Sequence, residues 1–561
     1  MRLGIDFGTT HTVVAYADRG NYPVLSFVDE LGDAHEWFPS VVAESRGELF
    51  FGFEALGVSE RERDAALLDS FKRLLSDPLA VPASQIRVGT VCVSVEELIA
   101  RFLGALRRAI VVSSNLPVEY RSDTAVFEAV VAVPAHAHGA QRLITLDAFR
   151  SAGFVPLAML NEPSAAGFEF THRHRALLSS RREHVVVYDL GGGTFDASLV
   201  RVRGTHHEVL ATAGLNTVGG NDFDQVLFDL VCERAGLNAD QLTAGRRQRL
   251  LLQCREAKER LSPSSRKLSI DLELGRLDGL DTPDMRETRD TRDTSNPTEI
   301  AIPVADFYDA CTPWVERTLT SMQPVMAGFE GALQSEASAP SGNHNLAGIY
   351  VVGGASALPL VPRLLRKQFG RRVHRSPYPS AAVAIGLAIA SDENAGYELT
   401  DRLAHTFGVF REGEAGREIT FDPIFRSDTR MPGRTGDRLS CRRAYRAAHN
   451  VGRFRFLECS AVSSDGRPLG DVVPSGDVLF PFDAALRERG VDLADVAVCR
   501  TSDYGPRIEE EYTLSDDGIV AVTIRNLDAD YQRVYTFGGF GAGRASDHPA
   551  AAAASGASLP G

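Results

Sequence analysis

The sequence predicts an α/β protein that has a large first domain and a smaller, mostly-β domain after it. Up to about Ser391, short apolar strands such as Val130–Pro134 and Val185–Leu190 alternate with amphipathic helical stretches such as Ala140–Ala152. This alternation is typical of α/β domains. After about Asp401, helical patterns become scarce, and strand patterns with turn signals dominate. Two glycine-rich turns with the same order of residues also indicate that the first domain contains two related halves.

The change in pattern sets the expected domain boundaries. We expect an α/β domain over 1–391, a linker over 392–403 and a β-rich domain over 404–537. The segment 538–561 is rich in Ala and Gly and too poor in core-forming residues to fold alone, so it is expected to be disordered. Two further segments are predicted to be exposed loops from their charged or small polar composition: Asp278–Pro297 and Ser335–Asn345.

The composition excludes several classes of function. The chain has 561 residues and a formal net charge of −14, which argues against binding to a nucleic-acid backbone. The seven cysteines are scattered and never form a C-x-x-C pair. Zinc sites and a disulfide framework are therefore not expected, and a reducing compartment fits best. No apolar run approaches the length of a membrane span. We expect a cytoplasmic protein that binds neither nucleic acid nor membrane.

Four individual elements can be assigned from their patterns. Gly348–Val352 is an apolar run that predicts a strand, and Gln248–Leu261 has the spacing of a helix. In the β-rich part, Val451–Leu457 alternates Arg with Phe. Glu511–Arg525 carries an Asp-Gly pair between two strand-like runs, which is a strong hairpin signal.

The first glycine-rich turn lies at the N-terminus, in GIDFGTTHT. Asp6 ends an apolar strand, and Gly8, Thr9 and Thr10 form a tight turn into a second strand. Such a turn can direct backbone N–H groups and hydroxyls at phosphate oxygens, while a nearby carboxylate holds a hydrated Mg²⁺. A simple hairpin without a ligand is the alternative for this motif taken alone.

The second turn, in VVVYDLGGGTFDASLV, repeats the same order of residue types after another apolar strand. Three consecutive glycines weaken a hairpin, so they require a further reason, and close approach of the backbone to a polyphosphate supplies one. Two such turns in two halves favour a nucleotide site over coincidence. The residues concerned are Asp189, Gly191, Gly192, Gly193, Thr194 and Asp196.

Two more glycine pairs follow. Gly219 and Gly220 lie in TVGGNDFD, and Gly353 and Gly354 lie in YVVGGASALP between an apolar strand and a helix. The second pair would let a nucleotide lie on the start of that helix. Simple packing glycines are the alternative.

These motifs together resemble the DnaK-type heat-shock chaperones, the seventy-kilodalton class. The resemblance extends over nearly the whole of the first 390 residues. The motifs have the order and spacing of that family: GIDFGTT, SFKRLLSD, VAVPAHAHGAQR, LNEPSAAG, DLGGGTFD, VGGNDFD, REAKERLS and VGGASALP. The resemblance implies an actin-like, two-lobed ATPase domain (a duplicated mixed sheet with helices) followed by a β-sandwich domain.

The resemblance also implies roles for individual residues. Lys72 and Glu162 match residues of the hydrolysis site, and Thr194 and Asp189 complete the implied catalytic set. The implied ligands are ATP or ADP and Mg²⁺, with K⁺ as a further candidate ion. The carboxylates implied around the metal, mainly through water, are Asp6, Asp189 and Asp196. The implied nucleotide contacts are Gly8, Thr9, Thr10, Gly191, Gly192, Gly193, Gly219, Gly220, Lys258, Ser262, Gly353 and Gly354.

The adenine end of the implied site departs from the family pattern. Arg255 stands where the family has Glu, and Glu259 stands where it commonly has a basic residue that stacks on the base. Ala357 replaces an Arg, and Ser380 replaces an Asp. The usual pair of cationic side chains around adenine is therefore missing. One hypothesis is that Arg255 supplies the stacking instead, from one turn away.

The remaining departures concern the second half of the chain. The linker has few of the family's leucines, and only a low-complexity tail follows Phe537 where a helical lid is expected.

The leading interpretation is an ATP-hydrolysing, chaperone-like protein in which nucleotide state controls binding of an unfolded polypeptide by a lidless β-domain, with co-chaperones as further partners. The alternative is a nucleotide-gated regulatory protein with one dedicated partner. A small-molecule kinase and a filament former are disfavoured by the β-domain and the motif set.

Overall fold

A computed structural model describes most of the chain. The described residues are 1–62, 64–77, 83–122, 124–272, 299–335, 346–433, 438–488, 491–500 and 505–537. They form two compact units. The first contains the described residues of Met1–Ser76, Gln85–His136 and Leu146–Thr400; the second contains those of 77–84, Ala137–Thr145 and the chain from Asp401 onwards. The predicted tail 538–561 and, apart from Ser335, the two predicted loops lie outside the described residues.

The first sheet of the first unit is built around the N-terminal strand. Arg2–Phe7 pairs in parallel with Glu128–Val133 and antiparallel with His11–Tyr16. Every residue of these three strands is buried except Arg2, Asp6, His11, Tyr16 and Glu128, which explains their largely apolar composition. The five strands in order across the sheet are Val155–Asn161, Glu128–Val133, Arg2–Phe7, His11–Tyr16 and Phe38–Pro39.

The second sheet repeats this arrangement. His184–Leu190 pairs antiparallel with Phe195–Arg203 on one side and in parallel with Leu346–Val352 on the other. The central strand of each sheet thus ends at an acidic residue and a Gly-Thr turn, as the duplicated motif predicts. The six strands in order are Val373–Arg375, Leu346–Val352, His184–Leu190, Phe195–Arg203, His206–Leu215 and Glu398–Thr400. The last of these lies within the stretch expected to be a linker.

Helices and small sheets cover these two sheets. Ala382–Ser391 is buried at every residue and packs closely on the first sheet, where a Cβ on Gly4 would meet Ala388 N at 2.2 Å. The other helices of this unit are Phe53–Arg61, Val95–Val112, Glu162–His174, Gly220–Ala235, Ala244–Glu259, Val304–Ser321, Gln323–Ser335 and Leu360–Phe369. Shorter strands are Phe27–Val28, Ala34–His35, Val41–Ser45, Glu48–Phe51, Ala66–Asp69, Gln85–Val88, Val91–Ser94, Lys267–Asp271 and Glu299–Pro303.

The second unit contains two antiparallel sheets of four strands. The first, in order, consists of Glu418–Phe425, Thr406–Gly413, Val451–Val462 and Pro468–Pro481. The second consists of Leu439–Arg446, Arg507–Leu514, Val520–Asn526 and Tyr531–Thr536. Alternate residues of Arg507–Leu514 and Val520–Asn526 are buried, as expected where one face of a sheet lies on a core. That core is rich in aromatic residues, including Phe407, Phe456 and Tyr512.

Several sequence predictions are confirmed by these elements. The predicted fold class, α/β followed by mostly β, agrees with the sheets of the two units. The predicted hairpin is present, with Gly518 at φ 76° in its turn. The predicted helix over Ala140–Ala152 is observed as Gly139–Ser151, and the one over Gln248–Leu261 as Ala244–Glu259. Among the described residues, no helix combines the length and apolarity that crossing a bilayer requires.

Candidate functional site

The two Gly-Thr turns line one cavity of the first unit, with a volume of about 930 Å³. Each turn joins two antiparallel strands, so its backbone is held at a sheet end. A Cβ on Gly192 would meet Thr10 Oγ1 at 2.8 Å, which shows how closely the turns approach each other. The sequence motifs that looked alike are therefore adjacent in space, as a shared ligand requires.

Backbone hydrogen bonds fix the second turn against the helix Gly220–Ala235. The N–H of Gly191 donates to Thr194 O at 3.0 Å, and the N–H of Gly220 donates to Gly191 O at 2.9 Å. The N–H of Asn221 donates to Gly192 O at 2.8 Å. The start of this helix therefore lies at the cavity, where its partial positive charge favours an anion.

An ion pair and two more carboxylates form the floor of the cavity. Lys72 Nζ donates to Glu162 Oε1 at 2.9 Å, and both side chains are buried. Asp6 and Asp189 line the same cavity. Lys72 comes from a short 3₁₀ helix and Glu162 from the first turn of Glu162–His174. Four residues separated widely in the chain therefore share one polar site.

Burial and mutual repulsion shift the pKa values of these carboxylates. Burial raises the pKa of Asp6 to about 7, repulsion from Glu162 adds to this rise, and attraction to Lys72 opposes it. Burial and the neighbouring carboxylates raise the pKa of Asp189 well above its usual range. Burial lowers the pKa of Lys72, but Glu162 and Asp6 raise it more, so the net shift is upward and the ammonium stays charged. Such shifts are common at functional sites.

The donor set fits a Mg²⁺ ion. Three carboxylates share this buried site with one ammonium group, so full ionisation of all three would leave two negative charges uncompensated. Carboxylate oxygens are the ligands that Mg²⁺ prefers, and a divalent cation would relieve the repulsion that raises these pKa values. Asp6 and Asp189 are the residues that could hold it, directly or through water.

Three of the predicted site residues do not line the cavity. Asp196 is 2% exposed and accepts from the N–H of Ala135 at 3.1 Å. The carbonyl of Gly193 accepts from Arg73, and a Cβ on Gly219 would meet the backbone of Gly192 at 2.6 Å. Asp196 still acts on the site, because its charge helps to raise the pKa of Lys72 and of Asp189.

The far end of the cavity contains Lys258 and Ser262, the residues that the resemblance implies at the ribose and base. Gly353 and Gly354 also line the cavity, and Gly353 lies beside Asp189, because a Cβ on Gly353 would meet Asp189 Oδ1 at 2.4 Å. Lys258 Nζ donates to Gly220 O at 2.9 Å and lies 2.6 Å from a carboxylate oxygen of Asp224. The ammonium therefore connects the helix Ala244–Glu259 to the start of Gly220–Ala235.

Arg255 lines the cavity and is bound by two carboxylates. Its Nη2 donates to Asp69 Oδ2 at 2.9 Å, and its Nε donates to Asp224 Oδ2 at 3.1 Å. Its Nη2 also donates to Asn221 Oδ1 at 3.3 Å. These hydrogen bonds fix the position of the guanidinium but use the N–H groups in its plane and not its faces, so stacking of Arg255 on a base stays a prediction.

Other arginines reach this end of the cavity, and sequence reasoning missed them. Arg363, Arg366 and Arg375 line it. The guanidinium carbon of Arg363 lies 5.1 Å from the ring centroid of Tyr308, which also lines the cavity. The only signal in the sequence was the spacing of Arg363 and Arg366 by three residues on one helix, which places both on one face.

The comparisons with known proteins agree with this geometry. The family model described as Hsp70 protein matches residues 2–404. A "Chaperone protein HscA homolog" of Burkholderia ambifaria is 31% identical over 406 residues, which is 71% of this chain and 59% of the relative. The protein with the same description in Tolumonas auensis is 31% identical over 412 residues, covering 70% of this chain and 57% of the relative. The matched part thus spans less than two thirds of the length of these relatives.

Proposed function

This chain belongs to the Hsp70 protein family, and we propose that it is a Mg²⁺-dependent ATPase whose nucleotide state controls polypeptide binding by its β-rich part. The family is one of nucleotide-dependent chaperones with ATPase activity. The observation that carries the proposal is the single cavity where the two Gly-Thr turns, the Lys72–Glu162 pair and further carboxylates meet.

ATP fits this cavity with its phosphates at the turns and its nucleoside at the other end. Backbone N–H groups and the hydroxyls of Thr9, Thr10 and Thr194 would donate to the phosphate oxygens, which are strong acceptors. Lys258 and Ser262 border the far end, where they would contact the ribose and base.

The chemistry required is mainly positioning and charge compensation, because phosphoryl transfer needs little covalent participation from the protein. The Lys72 ammonium and the Glu162 carboxylate would orient the attacking water, while Asp189 and Thr194 lie at the phosphate end. A bound Mg²⁺ would neutralise charge that develops on the phosphate oxygens. Burial strengthens these electrostatic contacts because little water competes with them.

Phosphate release at saturating ATP and Mg²⁺ tests the proposed activity. We expect Lys72→Ala and Thr194→Ala to lower turnover by at least about 100-fold, a loss typical of removing one transition-state contact. Lys267→Ala is the matched control, because Lys267 is exposed on a strand outside the cavity. Turnover of Lys72→Ala equal to that of Lys267→Ala would remove Lys72 from the site.

Addition of unfolded peptide to the same assay tests the proposed polypeptide binding. A general chaperone would show faster ATP turnover with many unrelated peptides, because polypeptide binding and hydrolysis are then energetically coupled. The alternative is a regulatory protein with one dedicated partner. A flat response to peptides, together with recovery of one protein in an affinity capture that depends on ATP, would favour that alternative.

We also propose a cytoplasmic location. All seven cysteines are free, which fits a reducing compartment. Cell fractionation that recovered the protein in an oxidising compartment or on a membrane would contradict this location.

A further inference from the structure

Two buried imidazoles and a carboxylate meet within the second unit. His138 is 6% exposed and His405 is 5% exposed. His138 directly precedes the helix Gly139–Ser151, and His405 directly precedes the strand Thr406–Gly413. Glu458 lies in another strand of this unit, and one potential ligand atom from each of the three residues lies within 4.8 Å of the others. The cluster lies outside the nucleotide cavity.

The distances are close to those of a tetrahedral metal site. Nδ1 of His138 lies 3.8 Å from Oε2 of Glu458, and the centroids of the two imidazole rings are 4.4 Å apart. Metal bonds of about 2.0–2.1 Å place tetrahedral ligand atoms roughly 3.3 Å from each other. The three ligand atoms, which lie within 4.8 Å of one another, must therefore approach each other by up to about 1.5 Å to share one ion.

His138 has a ring nitrogen that could bind a metal ion. Nδ1 of His138 is buried and makes no hydrogen bond to any residue that the structure describes. Leaving a buried polar atom in this state is unfavourable. A direct ion pair between His138 and Glu458 would satisfy it only at hydrogen-bond distance, and 3.8 Å exceeds that distance.

The carboxylate is already oriented by its surroundings. The N–H of Gly139 donates to both oxygens of Glu458 at 3.2 Å, and Ser475 Oγ donates to Oε1 at 3.1 Å. Hydrogen bonds of this kind fix metal-binding carboxylates in proteins. A cavity of about 20 Å³ borders both His405 and Glu458, which is room for one water molecule.

We propose that His138, His405 and Glu458 bind one first-row transition-metal dication, with Zn²⁺ as the best match and one water as its fourth ligand. Two imidazoles and a carboxylate favour Zn²⁺ over Mg²⁺ and Ca²⁺, which prefer oxygen ligands. The ion would cross-link three segments that are far apart in the sequence. This proposal is independent of the ATPase proposal, because it uses none of the nucleotide-cavity residues.

Zinc titration of the full-length protein tests the site. The protein is freed of any histidine tag, stripped with a chelator and titrated calorimetrically with Zn²⁺ in excess Mg²⁺, which competes for carboxylate oxygens elsewhere, and without nucleotide, whose phosphates would bind Zn²⁺ themselves. We expect one Zn²⁺ per chain. We expect His138→Gln, His405→Gln and Glu458→Gln each to weaken binding by at least about 100-fold, since loss of an outer-shell partner alone costs 10–100-fold.

His374→Gln is the matched control, because His374 is a partly buried histidine of the first unit outside the cluster; it should bind Zn²⁺ as the wild type does. X-ray absorption at the zinc edge of the wild-type protein is the second measurement and needs no variant to fold. Two imidazole ligands and oxygen would support the site. Absent zinc binding, unchanged binding in His138→Gln, or sulfur ligands in the spectrum would overturn the proposal.

Discussion

Lys72 Nζ lies 2.9 Å from Glu162 Oε1, and the two side chains are only 7% and 11% exposed. A buried ion pair stabilises a protein little in itself, because desolvation offsets most of the attraction. Here the pair stands beside Asp6 and Asp189 in the nucleotide cavity. We therefore expect the pair to serve ATP hydrolysis more than stability, and it is the first feature to test.

Removing one partner of this pair should damage both stability and turnover. Lys72→Met leaves Glu162 as an uncompensated buried charge, so we expect a loss of about 3–5 kcal/mol in the free energy of unfolding. The double variant Lys72→Met/Glu162→Gln should recover much of this loss, because no net charge remains buried at the pair. Turnover should stay low in both variants. Chemical denaturation and phosphate release measure the two effects separately, and recovery of turnover in the double variant would contradict the catalytic role.

Substitution by alanine should have different effects at the neighbouring positions Gly353 and Gly354. Gly353 has φ +85°, and a Cβ there would meet Asp189 Oδ1 at 2.4 Å, whereas a Cβ on Gly354 would meet nothing within 4 Å. We expect Gly353→Ala to destabilise the fold by more than 1 kcal/mol, from strain and overlap. Gly354→Ala should fold normally but bind ATP more weakly, because its methyl group enters space that a nucleotide would occupy. Thermal unfolding and ATP titration distinguish these outcomes; equal effects of the two variants would contradict the prediction.

Arg363 should contribute to nucleotide affinity and Arg255 to stability. The Arg363 guanidinium lies over Tyr308 at the far end of the cavity, where it can stack on a base. Such a contact is worth on the order of 1–2 kcal/mol when desolvated, so Arg363→Ala should weaken ATP binding by about tenfold. Arg255→Ala should instead lower the melting temperature, because it leaves Asp69 and Asp224 without their guanidinium partner. Unchanged ATP affinity in Arg363→Ala would remove this arginine from the site.

The buried His207 should make the fold sensitive to acid. Its Nε2 is 2.8 Å from Thr171 Oγ1, and burial lowers its pKa to about 4 from the usual 6.5. Between these two values the unfolded chain binds a proton that the folded chain does not, so stability is lost as the pH falls from about 6.5 towards 4. His207→Gln should show a shallower loss of unfolding free energy over this range. Denaturation at several pH values measures the slope; identical slopes would show that other groups dominate.

Many of the residues expected at the phosphates share one cavity because their contacts are local. In each Gly-Thr turn, the strand, the acidic residue and the glycines lie within a few positions, so one motif specifies the whole geometry. The structure brings Gly8, Thr10, Gly191 and Thr194 to one cavity as expected. Asp196, Gly193 and Gly219 were predicted with the same motifs but do not line the cavity, because packing against neighbouring segments decides which residues of a motif are exposed to it.

Lys258 and Ser262 line the cavity as the family pattern implies, but the arginines at the far end were missed for a related reason. Arg363 and Arg375 reach the cavity from different elements, and neither forms part of a recognisable motif. The sequence suggested that Arg255 could stack on a base, but it did not reveal that Asp69, 186 positions earlier in the chain, binds its guanidinium. Partners so distant in sequence are visible only after folding.

The sequence by itself determined the fold class, the duplicated turns and the family, because periodicity and short motifs encode local structure directly. Tertiary structure alone decided which charges meet. The scattered cysteines argued against zinc, yet His138, His405 and Glu458 come together from three separate segments. Their burial and mutual distances depend on long-range packing, which no local pattern of residues records.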